Sequence, residues 1–524
     1  MGWTRDDLSP VAPKARLGAA VWLLAAIKAA LPLAMPSAYG PFVDELYFFA
    51  CGEHLDFGYV DMPPLTGLQA WLARSLFGDW LPGLHLFPAL MGAGLVLLVA
   101  MLSLELGGGR GAQALAALCI IVAPFSHIFF SFLSMNAVEP LVWTGCALVV
   151  TRIVRTGRVT LWPWVGLLAG IGLENKHTML VFGFALGVGL LSTSARRLLW
   201  NRWFLLAGLV AFLLFLPNLI WEIRHHFPHL EQLANIRRNG RNVALGVFGF
   251  LWQQVLGMHP LAFPVWAGGL LWTLFAREGR PYRFLGVTWL VVLAALLATG
   301  GRFYYLYPAH PILVAAGATG LESLLARRRL SWLGPTYAVL LLVSGAVIAP
   351  IVLPILPPAT WIAWSRVTGL SQPRIENRAT SSPLPQLFAD RCGWKEMAQA
   401  VAKVYLSLSP EERKRTAIFG NDYGQAGAID FYGPRLGLPK AIGGHLTYWL
   451  WGPRDYTGET TIVLGDRREQ LDRLFARVEA VAEVGHPNAM RSQQFTLFLC
   501  RGTEGVDVRA DLAPREEMGL ISPG

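Results

Sequence analysis

The run from Val43 to Gly67 carries most of the chemistry that this apolar chain could perform. It contains five carboxylates, Asp44, Glu45, Glu53, Asp56 and Asp61, together with the polar side chains of Tyr47, His54 and Tyr59. An ionised carboxylate can act as a general base or bind a divalent metal ion. So dense a cluster of carboxylates at the edge of a long apolar segment predicts that this run forms the floor of an active site.

Two local signals indicate how this run folds. Asp44 begins a predicted amphipathic helix, where the helix dipole favours an ionised carboxylate. The two prolines of D-M-P-P-L then turn the chain and carry Asp61 back towards Asp44. The alternative interpretation is structural, with Asp44 as an ordinary helix cap and the other charges solvated.

Composition indicates a membrane protein that crosses the bilayer several times. The 524 residues are 54% hydrophobic and 15% charged, with a mean hydropathy of +0.44. Apolar runs long enough for helical spans are predicted at 17–36, 84–105, 113–133, 137–154, 161–175, 177–194, 203–222, 260–276, 284–300, 307–325 and 333–354. The two runs on either side of Asn175 are short, and a single re-entrant hairpin is the alternative there.

The distribution of basic residues predicts the orientation of these spans. Arginine and lysine cluster in every second connection, which places those connections in the cytoplasm and the acidic run outside. The net charge of +10 is explained by this pattern, so nucleic acid is not predicted as a partner.

From about residue 358 the composition becomes that of a soluble α/β domain. Strands are predicted at 416–419, 461–464 and 494–500, and helices at 394–407, 425–432 and 467–481. We therefore predict a polytopic α-helical membrane domain with about 11 transmembrane helices over residues 1–357, whose outer loop 37–83 carries the acidic motif. An extracytoplasmic α/β domain would follow over residues 358–524, where Cys392 and Cys500 could form a disulfide.

Further polar side chains lie at the outward ends of other predicted spans, on the same side as Asp44. They are Asn136, Glu139, Glu174, Asn175, Lys176, His177, Arg302, Tyr304, Tyr305 and Tyr307. Ionisable side chains are costly at membrane depth, so their presence there favours a functional role. The alternatives are a snorkelling Lys176, aromatic-belt tyrosines at 304 and 305, and a Glu139 that is satisfied by Asn136 or by a neighbouring helix.

Together these residues suit the transfer of a group from a lipid-borne phosphate. Carboxylates would activate an acceptor hydroxyl, cations would neutralise a phosphate leaving group, and aromatic rings would stack on sugar. The sequence contains no G-x-x-x-x-G-K-[ST] motif, so the energy must arrive with the substrate. No cofactor is predicted with certainty. A divalent metal ion remains open, and the spacing of His225, His226 and His229 provides a weak alternative site for one.

Five motifs, read in order, resemble a known family. They are D-E-x-Y, G-Y-x-D-x-P-P-L, M-N-A-V-E-P-L, L-E-N-K-H-T and Y-Y-L-Y-P-A-H-P, between Asp44 and Pro311. The order resembles the bacterial branch of the protein O-mannosyltransferase-like glycosyltransferases, family 39 and its relatives. These relatives include the lipid A aminoarabinose transferase and the rhizobial galacturonic acid transferases. The C-terminal stretch N-D-Y-G-Q-A-G-A-I-D-F-Y-G-P also resembles bacterial members.

The resemblance implies a GT-C fold in the bacterial inner membrane and inverting transfer on its outer face. The donor would be a polyprenyl-phosphate sugar and the acceptor a lipid such as lipid A, another glycan or a protein. It implies Asp44 as the leading general base, with three further catalytic candidates: Glu45, Asp61 and Glu139. Donor phosphate would be bound by Lys176, His54 and Arg302, since Met62 stands where many relatives carry His or Lys. The remaining candidates for substrate binding are Tyr47, Tyr59, Asn136, His177, Tyr304 and Tyr305.

Two other classes of function compete with this hypothesis. A secondary transporter or lipid-glycan flippase should show repeated halves and ionisable residues near the bilayer midplane. Here the polar residues gather at one face, and a sizeable outer domain follows them. A non-catalytic assembly scaffold would leave the carboxylate cluster unexplained.

Overall fold

The protein is described from a computed structural model, which covers residues 16–34, 39–238, 245–372, 382–456, 458–490 and 493–503. Its first part is helical, because long apolar segments satisfy their backbone polar groups internally only as helices. These helices are α1 (Ala19–Leu33), α2 (Val43–Glu53), α3 (Leu65–Phe77), α4 (Leu81–Leu84), α5 (Leu86–Glu105), α6 (Arg110–Val122), α7 (Pro124–Phe130), α8 (Met135–Thr156), α9 (Trp162–Leu173), α10 (Thr178–Leu191), α11 (Arg202–Arg224), α12 (Pro228–Arg238), α13 (Val247–Gly257), α14 (Phe263–Phe275), α15 (Arg283–Thr299), α16 (His310–Arg327), α17 (Leu333–Val352) and α18 (Pro358–Thr368).

A helix occurs at each of the eleven predicted spans, but not every helix is long enough to cross a bilayer. Within the described ranges, six helices are long and apolar enough, or up to eight if each of two bent pairs forms one span. Helices α1, α9 and α10 are shorter, and the polar run around Asn175 separates the last two. The polytopic helical architecture is therefore confirmed, whereas the count of eleven stays a prediction.

A bend of 68° separates α6 from α7. Pro124 stands at the first position of α7, where its ring cannot extend the preceding helix. The buried Lys28 of α1 fixes the bend, since its Nζ donates to the backbone oxygen of Ser126 at 3.0 Å. Beyond the bend, Phe125, Ile128 and Phe129 of α7 line the cavity described below.

The C-terminal part is an α/β unit with a five-stranded sheet. Its elements are α19 (Gln386–Ala389), α20 (Trp394–Ser407), α21 (Pro410–Lys414), β1 (Thr416–Gly420), α22 (Tyr423–Tyr432), β2 (Ile442–Gly443), α23 (Thr447–Trp451), β3 (Thr460–Leu464), α24 (Arg468–Leu474), β4 (Phe475–Val484) and β5 (Phe495–Thr503). The strand order is β2-β1-β3-β5-β4, with β1 parallel to β2 and β3, and β5 antiparallel to β3 and β4.

One prediction for this unit was wrong. The segment 467–481, expected to be a single helix, forms the short helix α24 and then strand β4. Its alanines, glutamates and arginines favour a helix locally, but Phe475, Val478 and Val484 are buried when the segment pairs with β5. Tertiary pairing overrides local propensity here. Cys392 and Cys500 are both buried and free, so they do not form a disulfide.

Helices α2 and α3 share one hydrophobic core with the α/β unit. Buried residues of α2 and α3 pack together with those of α20, α22 and the sheet. A separate, larger core lies among the membrane helices. The predicted domain boundary after residue 357 stays a prediction. Residues from both sides of this boundary contribute to the shared core.

Helix α22 packs directly on α2, and two glycines make this close approach feasible. A Cβ atom on Gly427 would lie 2.7 Å from the carbonyl carbon of Leu46, and one on Gly424 would collide with the side chain of Val43. The two helix backbones can therefore approach only where α22 has no side chain.

Adding a methyl group at this contact should loosen it. We expect Gly427→Ala to lower the stability of the folded protein by about 1–3 kcal/mol, because overpacking against a backbone forces the helices apart. The apparent Tm in detergent measures the effect. Gly183→Ala is the matched control, since a Cβ there meets no atom within 4 Å; equal Tm values for the two variants would contradict the packing argument.

Candidate active site

A cavity of about 640 Å³ lies between the helical bundle and the α/β unit. Most of its wall is apolar or aromatic, with contributions from α2, α7, α8, α11 and α12. The α/β unit closes it with side chains from α19 and α22. The polar and ionisable residues of the wall are Asp44, Tyr47, Asp61, Asn136, Lys176, His177, Thr178, Glu222, His229, Gln232, Arg302, Tyr304, Tyr305, Gln372, Gln386, Asp390 and Tyr423.

Asp44 lies in the first turn of α2, as predicted, and its carboxylate faces this cavity. The Tyr423 hydroxyl donates a hydrogen bond of 2.7 Å to Asp44 Oδ1. Tyr423 is the first residue of α22, so the helix contact described above determines where its hydroxyl lies. The orientation of the Asp44 carboxylate therefore depends on the α/β unit.

Asp61 returns to the same cavity, so the predicted turn after Tyr59 brings the two aspartates together. Its Oδ1 accepts a hydrogen bond of 2.8 Å from the Tyr47 hydroxyl, which also lies 2.6 Å from Thr447 Oγ1. Burial raises the pKa of Asp61 to about 7; the Tyr47 hydrogen bond opposes this rise and the charge of Asp44 adds to it. At neutral pH Asp61 is thus partly protonated, which limits the repulsion between the two carboxyl groups.

Glu45 neighbours Asp44 in sequence but lies outside the residues that line the cavity. Its carboxylate is fully buried and accepts hydrogen bonds from the backbone N–H of Phe42 and Leu133, each at 2.8 Å. His85 Nε2 lies 2.9 Å from Glu45 Oε1. Burial opposes ionisation, but His85, Arg391 and these hydrogen bonds lower the pKa of Glu45. These contacts fix the start of α2 and give Glu45 a positioning role.

Lys176 lies at the break between α9 and α10 and faces the cavity. Its Nζ donates to Asn136 Oδ1 at 3.0 Å and to Glu139 Oε2 at 3.2 Å, and it lies 4.1 Å from the ring centre of Tyr305. Glu139 itself is buried, accepts a hydrogen bond from the Thr178 hydroxyl, and lies outside the lining residues. Glu139 therefore acts on the cavity through Lys176.

A second cation, Arg302, lines the cavity directly before the short 3₁₀ helix Phe303–Ala309. Its Nη1 donates to the Tyr304 hydroxyl at 2.7 Å. Tyr304 and Tyr305 both line the wall, with their rings edge to face at 4.9 Å. The cavity thus holds two cations, Lys176 and Arg302, within a largely apolar enclosure whose carboxyl groups are those of Asp44, Asp61, Asp390 and Glu222.

Two predicted site residues lie elsewhere. His54 follows α2 and packs its ring 4.5 Å from that of Trp451, outside the cavity wall. Tyr59 is fully buried and donates to the backbone oxygens of Cys51 and His54, at 2.9 and 3.2 Å. Tyr59 holds the turn that returns Asp61, and neither residue reaches the cavity.

His177 does line the cavity, and it connects two helices. Its Nε2 lies 3.0 Å from Asn218 Oδ1, and Asn218 Nδ2 donates to the backbone oxygen of Phe57 at 2.8 Å. This chain of contacts ties the break between α9 and α10 to the outer loop through α11. The predicted substrate-binding set Tyr47, Asn136, His177, Tyr304 and Tyr305 is thereby gathered in one enclosure.

Sequence reasoning did not assign many of the lining residues, including those on the α/β unit. Tyr423 and Leu446 follow the carboxyl ends of β1 and β2, the edge at which open parallel sheets bind ligands. Leu446 has a φ of 52°, a strained value for a residue with a side chain. The stretch N-D-Y-G-Q-A-G that contains Tyr423 was visible as a glycine- and aromatic-rich motif. Its distance of 379 positions from Asp44 hid the contact.

No metal-binding cluster is found in the part of the chain that the structure describes. There, no group of three or more histidine, cysteine, aspartate or glutamate side chains could hold a metal ion. His225 stacks on Trp221 at 4.1 Å, whereas His229 lies against His177 at 4.8 Å, so the histidines of this loop point to different neighbours.

Residues 61–221 match the family model described as dolichyl-phosphate-mannose-protein mannosyltransferase. This segment contains Asp61, Asn136, Glu139, Lys176 and His177. No curated protein matches the sequence.

Solved structures match over nearly the whole chain. ArnT from Cupriavidus metallidurans bound to undecaprenyl phosphate has 15% sequence identity and a TM-score of 0.57, and the match covers 94% of this chain and 98% of that chain. The same protein in the apo state gives 16% identity and a TM-score of 0.58, with the same coverage. An apo oligosaccharyltransferase from Archaeoglobus fulgidus matches at 13% identity over 79% of this chain and 63% of that chain; its TM-score of 0.47 is too low to support an argument.

These matches confirm the resemblance that the five motifs indicated. The chain has the fold of ArnT, and residues 61–221 are similar to the dolichyl-phosphate-mannose-protein mannosyltransferase family. The likeness to ArnT shows the fold, and the region matched by the family model contains the lining residues Asp61, Asn136, Lys176, His177 and Thr178.

The raised pKa of Asp61 predicts a specific effect of pH on stability. Because the folded state binds this proton more tightly, the contribution of Asp61 to stability is greatest below its unfolded pKa of about 4 and falls as pH rises through its folded pKa of about 7. Asp61→Asn removes the dependence, so its apparent Tm relative to wild type should be higher at pH 8 than at pH 5. Asp455→Asn, at an exposed position, is the control. A relative Tm that is equal or lower at pH 8 would overturn this assignment.

Proposed function

We propose that this protein is an integral membrane glycosyltransferase that moves a sugar from a polyprenyl-phosphate donor to an acceptor at the outer face of the bacterial inner membrane. One observation carries the proposal: a single, largely apolar cavity contains both an aspartate pair, Asp44 and Asp61, and two cations, Lys176 and Arg302. Such a transfer needs a carboxylate that acts as a base on the acceptor and cations that stabilise the departing phosphate.

The donor fits the cavity by its two chemical halves. Phe125, Phe129 and Leu219 belong to the apolar wall, which suits a prenyl chain entering from the bilayer. Lys176 and Arg302 suit the phosphate, because both present N–H donors on a cationic group. The ArnT structure with bound undecaprenyl phosphate, on the same fold, supports this class of donor.

In the proposed reaction the Asp44 carboxylate accepts the proton of the acceptor's attacking group. That group forms a bond to the anomeric carbon of the sugar while the bond from this carbon to the phosphate oxygen breaks. The electron pair leaves with the polyprenyl phosphate, whose added charge is stabilised by Lys176 and Arg302. Attack opposite the leaving phosphate inverts the anomeric configuration. Tyr423 holds Asp44 in position and Glu45 anchors its helix.

The acceptor approaches from the side of the α/β unit in this proposal. That unit supplies Tyr423 and Leu446 to the wall, and it lies at the end of the cavity that is predicted to face outwards. The acceptor is a lipid such as lipid A, another envelope glycan or a protein. A transporter or flippase is the competing function, and the first experiment below separates it from transfer.

Removing the charge of Asp44 should abolish transfer with little effect on folding. In proteoliposomes supplied with a panel of radiolabelled polyprenyl-phosphate sugars and envelope acceptors, we expect wild type to transfer one sugar and Asp44→Asn to be at least about 100-fold slower, the usual cost of losing a general base. The amide oxygen can still accept from Tyr423, so the Tm should change little. Parallel reactions with a chelator test the need for a metal ion.

Other outcomes of this experiment would contradict the proposal. Full activity of Asp44→Asn in a folded protein would remove Asp44 from the reaction. If no donor is consumed and labelled lipid changes sides equally in both proteins, the transporter function replaces the glycosyltransferase.

Arg302 should contribute to binding the phosphate. We expect Arg302→Gln to weaken the binding of sugar-free polyprenyl phosphate by about 10- to 100-fold, as expected for loss of a charged hydrogen bond. Binding is measured by thermal shift against lipid concentration. Arg366→Gln removes an equal charge from an exposed position on α18 and is the control. Equal affinities in the two variants would place the phosphate away from Arg302.

A further inference from the structure

Glu222 is a buried carboxylate that the proposed reaction does not use. It lies at the end of α11, is 4% exposed and lines the cavity. The backbone of His229 is close enough to interact with it. Even so, no donor in the described part of the chain makes a hydrogen bond of normal geometry to Oε1 or Oε2. A buried carboxylate without such donors is costly, so its retention requires a compensating partner.

Two histidines lie beside Glu222 on the same wall. The rings of His177 and His229 meet edge to face at 4.8 Å, and both residues line the cavity. Burial, followed by the nearby His177 and Lys176, lowers the pKa of His229 to about 4. His229 is therefore neutral at pH 7, and its Nδ1 has no hydrogen-bond partner among the residues that the structure describes. The group offers a carboxylate and neutral ring nitrogens, which together suit hydroxyl groups.

The backbone that joins Glu222 to His229 is strained. His226 and Phe227 have φ values of 59° and 57°, in the left-handed region that residues with side chains rarely adopt. The turn is held by a hydrogen bond of 2.7 Å from the backbone N–H of Phe227 to the backbone oxygen of Glu222. Strain of this kind persists where the surrounding structure enforces it, often beside a ligand site.

This group lies close to residues that serve the donor phosphate and to residues that serve the acceptor. His177 directly follows Lys176, the proposed phosphate ligand. On the other side, the backbone of Val60, which precedes Asp61, contacts His229. Glu222 and the two histidines thus neighbour both the cation that would bind the donor phosphate and the loop that carries Asp61. In a sugar phosphate, the sugar ring occupies the space between the phosphate and the attacking group.

We propose that Glu222, His177 and His229 form a subsite for the transferred sugar, in which Glu222 accepts hydrogen bonds from the sugar's hydroxyl groups and determines specificity. This inference rests on the proposed glycosyltransferase function. It also specifies the class of sugar. A second carboxyl group beside Glu222 would be accommodated in a buried environment only if one of the two bound a proton, so the subsite favours a sugar without a carboxyl group over a uronic acid.

The test compares two variants of Glu222 with a matched control. Glu231→Gln removes a carboxylate from α12, the next helix of the same segment, at a position that does not line the cavity. For each protein, thermal shift gives the affinity for sugar-free polyprenyl phosphate, and transfer assays give KM and kcat for neutral and uronic-acid donors. Gel filtration and the Tm without ligand establish that each variant folds.

The subsite predicts a loss of affinity that depends on the sugar. Glu222→Ala should raise KM for the neutral donor by about tenfold or more, the usual effect of losing a hydrogen bond to a charged group, while binding of sugar-free polyprenyl phosphate stays unchanged. Glu222→Gln should narrow the preference for neutral over uronic-acid donors, since it removes only the charge. Glu231→Gln should behave as wild type in every assay.

Three results would overturn the proposal, and they differ from failure of the function itself. A wild type that transfers sugar, combined with unchanged KM and donor preference in both Glu222 variants, rejects the subsite alone. Equal losses for sugar-bearing and sugar-free lipid would assign Glu222 a purely structural role. If wild type transfers no sugar from any donor, the glycosyltransferase function fails and the subsite fails with it.

Discussion

The contact between α22 and α2 is the constraint on which the rest of the site depends. Glycines at 424 and 427 let the two helices approach until a Cβ would meet backbone, and this approach brings the Tyr423 hydroxyl to Asp44. From the other side, Glu45 holds the start of α2 through the backbone of Leu133 and the ring of His85. Asp44 is thus fixed between the membrane helices and the α/β unit, and neither part alone would position it.

Charge separation within the cavity follows from this arrangement. Asp44 lies in α2 and Asp61 in the turn that follows it, where Tyr423 and Tyr47 donate to them. The cations lie on membrane helices or at their ends, and Lys176 is held by Glu139 and Asn136. A lipid phosphate and a polar acceptor could therefore enter the same apolar enclosure from different sides. This separation, more than any single residue, is what the proposed transfer requires.

Much of the fold could be predicted from local sequence, because its signals are local. A helix occurs at each predicted apolar run of the membrane part, and the predicted helix 394–407 coincides with α20. Strand β4 was missed, since its pairing with β5 is not visible in a segment rich in alanine and glutamate. The number of bilayer crossings could not be determined from local sequence, because α9 and α10 are too short to be assigned as spans by length alone.

The site was predictable where chemistry and order in the chain sufficed. Asp44, Asp61, Lys176 and Arg302 all reach the cavity, as the sequence indicated. Glu45 did not, since adjacent positions on a helix point in different directions and only the fold shows which one faces the cavity. Tyr423 could not be assigned, because its contact with Asp44 joins residues that lie on separate parts of the chain.

The most direct test of this account is a cryo-electron microscopy structure of the protein in nanodiscs with polyprenyl phosphate bound. The account predicts phosphate density within hydrogen-bond distance of Lys176 and Arg302, in the cavity that Asp44 faces, with the prenyl chain running along the apolar wall towards the bilayer. Phosphate density outside this cavity, with Asp44 and the cations left apart from the lipid, would contradict the central claim that one enclosure serves both donor and acceptor.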